Sequence, residues 1–210
     1  MPSSAEYRQR ARNLLGNNIF SPLWLYPLVV ALLASAANGI ASIIPFLPLI
    51  IYGPITLGIE GYFLARAKKN MPYDNISCVL DGFKGDIVGN ILLGFLYSLF
   101  ITLWSLVFII PGIVKIYAYS MAFYIKLDHP EYTATQAITE SRRLMNGHKM
   151  RLFILDLSFI GWYILGALCF GIGSLWVNTY VKAAHAEFYK DLVKKSTPED
   201  TVEGIAESVL

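Results

Sequence analysis

Long apolar segments in this chain are joined alternately by long basic stretches and by short neutral ones, and few architectures accommodate that alternation. The basic connections are Arg66–Asp86 and Lys126–Arg151; the neutral ones are Pro45–Pro48, Ile110–Ile113 and Phe170–Gly173. A helix needs about 20 mostly apolar residues to cross about 30 Å of hydrocarbon. Six segments are expected to cross: Leu23–Ile44, Leu49–Ala65, Ile87–Ile110, Gly112–Leu127, Leu152–Phe170 and Ile172–Tyr189. An unbroken helix over residues 87–127 would be about 60 Å long, twice the hydrocarbon core. The chain is therefore expected to turn back at Pro111–Gly112, a pair that breaks helices. Composition agrees: 55% of the 210 residues are hydrophobic and 15% charged, where about 25% charged is usual for a soluble domain.

Charge placement orients the helices. Of 17 Lys and Arg, only Lys115 and Lys182 fall well inside the expected spans, with Lys126 at the inner end of the fourth. The others, Arg8, Arg10, Arg12, Arg66, Lys68, Lys69 and Lys84 among them, lie on one side, which the positive-inside rule assigns to the cytoplasm together with both termini. The first apolar run is too long for a signal peptide, and no small-residue cleavage site follows it. Cys78 and Cys169 then lie at opposite faces, with no disulfide, redox or metal-ligand spacing. No cofactor or metal is implied.

Three copies of one unit are legible. Each has an amphipathic helix, a glycine stop, an outgoing span, a Gly/Pro turn and a returning span that ends in aromatic and basic residues. The stops read NLLGNN (13–18), VLDGFK (79–84) and LMNGHK (144–149), and the returning spans end YFLAR, FYIK and FYK. The repeats cover about 5–71, 72–129 and 130–192, within a single membrane domain of 1–195. Residues 196–210 form a polar, acidic tail expected to be mobile. Ser4 is a candidate cap for a first short helix ending near Gly16. Ile76, Val79, Leu80 and Phe83 are expected on one face of a short helical piece. Over 130–147 a surface helix is expected, with Thr133 and Gln136 as a capping box, Ala134, Ala137, Ile138, Ser141, Leu144 and Met145 on one face, and Gly147 as its stop. The fold class is thus all-α: a polytopic membrane protein with six transmembrane helices, built as three parallel helical-hairpin repeats with cytoplasmic amphipathic helices.

Ionisable residues inside spans are expensive and point to function. Glu60, Asp156 and Lys182 lie at similar depth near the cytoplasmic boundary, with His185 slightly nearer the surface, and the four form a candidate intramembrane polar cluster. They fit either a substrate or ion site or ion pairs that tie helices together. Lys115, near the outer turn, is expected to reach the outer headgroups. Arg142, Arg143, His148, Lys149 and Arg151 form the densest basic cluster, beside an amphipathic helix. Anionic headgroups on the cytoplasmic side are its natural partner, though positive-inside orientation alone also accounts for it. Nothing points to nucleic acid, and no nucleophile, P-loop or zinc-protease motif is present.

GPITLG (53–58), IIPGIVK (109–115) with YSMAFYI (119–125), and ESRRLMNGHKMRLF (140–153) leading into LDLSFIGW (155–162) resemble the bacterial integral membrane proteins of domain-of-unknown-function family 975. The resemblance runs from about Arg12 to Leu192 and implies a multi-pass protein of the bacterial plasma membrane, with no catalytic residue. Three functions stay open. The first is a non-enzymatic module that binds lipid, a protein partner or a second copy of itself, accessory to transport or envelope homeostasis. The second is a small transporter or channel with a cytoplasm-facing polar cavity. The third is an intramembrane lipid-modifying enzyme.

Overall fold

The computed structural model describes residues 2–16, 24–30, 32, 47–68, 76–107, 109–168 and 173–196. All regular structure among them is helical: α1 (Ser4–Leu15), α2 (24–30), α3 (Leu47–Ala67), a 3-10 helix (Ile76–Phe83), α4 (Ile87–Val107), α5 (Ile109–Tyr119), α6 (Ala122–Asp128), α7 (Ala134–Leu144), α8 (Lys149–Leu157), α9 (Ile160–Leu168) and α10 (Gly173–Ser196). Two stretches among these residues, Ile87–Leu106 and Lys149–Ala167, are long and apolar enough to cross a membrane. Most of the first expected span, Cys169, the 170–172 turn and the 197–210 tail lie outside the described residues.

Helices α4 and α5 form an antiparallel hairpin. α4 ends at Val107 and α5 begins at Ile109, so Pro111–Gly112 lies inside α5 and is not the point of reversal. Pro111 falls in the first turn of α5, where its missing N–H leaves no intrahelical bond unmade. Gly112 instead allows close approach: a Cβ there would lie 2.7 Å from Ser105 Oγ. Below this contact come Lys115 over Trp104 (4.4 Å), Phe100 against Tyr119 (6.1 Å) and Tyr97 against Phe123 (5.2 Å).

A second hairpin, α8–α9 with α10, has a corresponding ladder. Gly166 meets Gly173, the Tyr163 hydroxyl donates to Asn178 (2.6 Å), Phe159 packs on Tyr180 (5.0 Å), and Asp156 meets His185 (2.6 Å). Ser105 and Gly112 each precede Gly166 and Gly173 by 61 residues.

The returning arm of the first hairpin breaks at Ser120–Met121, between α5 and α6. Its freed backbone groups are met from α7: Ser141 Oγ donates to the Ala118 carbonyl (2.9 Å) and accepts from the Met121 N–H (3.2 Å). Ala134, Ala137, Ile138, Ser141 and Met145 are buried as their spacing requires, with Leu144 half-buried, and the Thr133–Gln136 capping box is present.

Other details differ from the sequence expectation. Ser3, not Ser4, caps α1. Positive φ occurs at Gly16, Gly147 and Gly85, so the second stop is Gly85 in place of Gly82. Gly82 is needed for packing, because a Cβ there would collide with the Pro54 carbonyl. The 3-10 helix therefore lies along the middle of α3, and Leu80 points outward, off the packed face.

The packed core is at one end of the molecule. Tyr7, Ala11 and Leu15 of α1 join Tyr62 and Phe63 of α3, Met121–Tyr124, Ile138 and Met145, and Phe188 and Tyr189 of α10. Tyr124 stacks on Tyr189 at 5.1 Å. The hairpins extending from this base expose Leu99, Leu103, Leu106, Ile160, Ile164 and Leu165.

Candidate functional site

The four expected intramembrane ionic residues meet as two pairs. Lys182 Nζ donates to Glu60 Oε1, joining α10 to α3, and His185 Nε2 meets Asp156 Oδ1 at 2.6 Å, joining α10 to α8. Lys182 and His185 share a face of α10, three residues apart. Glu60 is buried, and its carboxylate lies beside the buried Tyr124 hydroxyl. Charge within reach of an opposite charge offsets part of its desolvation cost. Both pairs therefore act as ties between α10 and the helices beside it. The described cavities are lined by other residues.

The aromatic–basic ends of the returning helices are a second polar system, whose cations serve in the sequence only as orientation signals. Arg66 and Lys126 are buried. Arg66 donates to the Tyr62 hydroxyl and the Leu14 carbonyl, both at 2.8 Å. Lys126 Nζ donates to Asp86 Oδ2 (2.9 Å) and to the carbonyls of Pro130 (2.9 Å) and Tyr132 (2.7 Å), which satisfies all three of its N–H groups. Lys190 reaches the Ala67 carbonyl (3.1 Å). The hydrogen bond from Lys126, followed by that from the Gly89 N–H, holds the Asp86 carboxyl below its usual range. Recurrence of the pattern at 66, 126 and 190 was the signal; it marks clamps on neighbouring backbone.

The expected lipid-contact cluster divides. Arg142 and Arg143 are exposed on α7, whereas His148, Lys149 and Arg151 are half-buried. Arg143 grips Glu140 with Nε at 2.9 Å and Nη2 at 2.5 Å. That bond lowers the Glu140 carboxyl and raises the guanidinium. Lys115 Nζ lies over the Trp104 ring at 4.4 Å, with the Tyr119 ring at 5.9 Å. Arg151 Nη2 donates to the Pro2 carbonyl (2.9 Å), which ties down the N-terminal segment. Burial, then the charges of Arg151 and Lys195, lowers the His148 imidazole, and its Nδ1 is buried without a partner among the described residues. His148 is therefore a poor cation for a headgroup at neutral pH.

No curated protein and no solved structure matches the chain. Residues 93–196 match the family described as "Protein of unknown function (DUF975)". The match takes in both hairpins from Leu93 onward and the ESRRLMNGHK stretch, and leaves GPITLG outside. By these residues the chain belongs to the DUF975 family.

Proposed function

We propose that the protein is a multi-pass membrane module that binds anionic lipid through its basic layer and performs no chemistry on it. One observation carries this reading: residues 13–59, 87–114 and 157–181 contain no Asp, Glu, Lys or Arg, so all 32 charged side chains belong to the remaining segments. Two of these stretches contain the hairpin ends, whose outward side chains are apolar. Exposed apolar surface of that extent suits hydrocarbon and not water. With the 61-residue offset between the two ladders, this supports three parallel hairpins and six crossings, the ionic groups other than Lys115 gathered toward the cytoplasmic side.

In that frame Arg142, Arg143 and Lys149 face the headgroups of the inner leaflet, while His148 and Arg151 stand behind them as packing. The pairing of Glu60 with Lys182 and of Asp156 with His185 favours such a module over a transporter with a site at these residues. The test is lipid retention by purified full-length protein, read by native mass spectrometry after incubation with phosphatidylglycerol or phosphatidylcholine. Arg142→Glu with Arg143→Glu is expected to lower phosphatidylglycerol retention several-fold, and Lys182→Leu to leave it unchanged. Equal retention by the charge-reversed and wild-type proteins would show that these arginines do not hold lipid.

A further inference from the structure

The two faces of α1 have different partners. On one, Arg10 is held by Asp191 (2.9 Å) and Glu6 (3.1 Å). On the other, Arg8 and Arg12 meet neutral groups among the described residues. Arg8 Nη1 donates to the Ser158 carbonyl (3.2 Å), the Tyr180 hydroxyl donates to the Arg8 carbonyl (2.6 Å), and Arg12 approaches the same hydroxyl. Among the described residues neither guanidinium has a carboxylate within ion-pair distance. This face opens onto a groove of about 590 Å³. One wall is Arg8, Gln9, Arg12 and Asn13 of α1, at i, i+1, i+4 and i+5; the other is Trp162 of α9 and Tyr180 of α10.

Two guanidiniums and two side-chain amides surround a cavity whose lining holds no acidic residue. Forked N–H donors of this kind match phosphate oxygens. The far wall determines which phosphate. Trp162 is 43% exposed, and one turn further along the same face of α9 Leu165 is 58% exposed, with Ile164 beside it. A polar groove thus runs directly into an apolar strip that points away from the charged base.

We infer that this groove seats one phospholipid, its phosphate between Arg8 and Arg12 and its acyl chains along Trp162 and Leu165. The inference rests on the membrane reading above and names a site separate from Arg142 and Arg143. The lipid would lock α1, which packs on α10, to the second hairpin through its own headgroup.

The test uses the full chain in detergent, titrated with dioctanoyl phosphatidylglycerol and, in parallel, with inorganic phosphate, and followed by native mass spectrometry and Trp fluorescence. Wild type is expected to retain one tight lipid per chain and to bind inorganic phosphate far more weakly. Arg12→Gln, at an exposed position, is expected to weaken that lipid about tenfold, the loss of one charge-assisted bond. Arg8→Gln with Arg12→Gln should abolish it, and Trp162→Ala should weaken lipid without affecting phosphate. Arg142→Glu with Arg143→Glu should leave the tight lipid in place and remove only weaker adducts. Retention unchanged in Arg12→Gln and in the Arg8, Arg12 double variant, while wild type still binds, overturns the groove and leaves the basic-layer reading standing. Equal affinity for inorganic phosphate and lipid makes the site one for a free anion and overturns the phospholipid. A wild type that retains no phosphatidylglycerol defeats both readings.

Discussion

Ser141 shows how much depends on one hydroxyl. The α5–α6 break frees a carbonyl and an N–H in a fully buried place, and both are met by this side chain. Leaving buried backbone groups unpaired costs about 1–3 kcal/mol. Ser141→Ala is therefore expected to lower stability by that amount, read as a Tm shift of the detergent-solubilised protein; an unshifted Tm would mean that water takes over both bonds. His148 gives the pH dependence. Its folded-state pKa is lowered by burial and nearby cations. The unfolded chain thus binds a proton that the folded chain resists, and stability is highest above about pH 6.5 and declines as the pH falls below it. His148→Gln should flatten that decline, seen by comparing Tm for the two proteins between about pH 5 and 8. Parallel curves would locate the acid sensitivity elsewhere.

At the scale of elements, two glycines serve for opposite reasons. Gly147, in the turn between α7 and α8, has φ 77°, and nothing lies within 4 Å of a Cβ built there. Its requirement is conformational, so Gly147→Ala should cost about 1–2 kcal/mol and Gly147→Asn less, since Asn tolerates this region. Gly53 is helical, and a Cβ there would strike the Asn90 carbonyl and lie 3.2 Å from Gly94 Cα. Its requirement is steric, because α3 and α4 touch backbone to backbone. Gly53→Ala must part the helices and should cost about 3 kcal/mol or more, with Gly53→Asn worse than Gly53→Ala. A rank order in Tm that is the same at both sites would contradict this division.

At the scale of the whole molecule, a packed polar base carrying apolar hairpins makes a claim about sidedness. Ile113 lies near the α4–α5 turn and is exposed, whereas Gly112 has no room for a side chain. Lys84 lies in the basic connection, with its side chain 70% exposed. In a background with Cys78 and Cys169 replaced by Ser, Ile113→Cys should react with a membrane-impermeant maleimide on intact cells, and Lys84→Cys only after permeabilisation. The reverse pattern would invert the topology. Labelling of both from outside would remove the membrane from the description of this chain.

Apolar length, charge placement and glycine stops are local properties of the chain, and they sufficed for the helical class, the α7 capping box and its buried face, and the approximate limits of α3 and α10. They sufficed because span length and amphipathic spacing depend only on rise per residue and on which side chains avoid water. Tertiary structure alone decided the rest. The place of Pro111–Gly112 within α5, and not at the reversal, depends on Gly112 meeting Ser105 across the pair. Pairing Lys182 with Glu60 rather than Asp156 depends on which helix lies beside α10. The conversion of Arg66 and Lys126 from orienting cations into buried clamps depends on carbonyls far away in sequence. Side-chain partners are set by the approach of segments distant along the chain, and residue type carries no record of that approach.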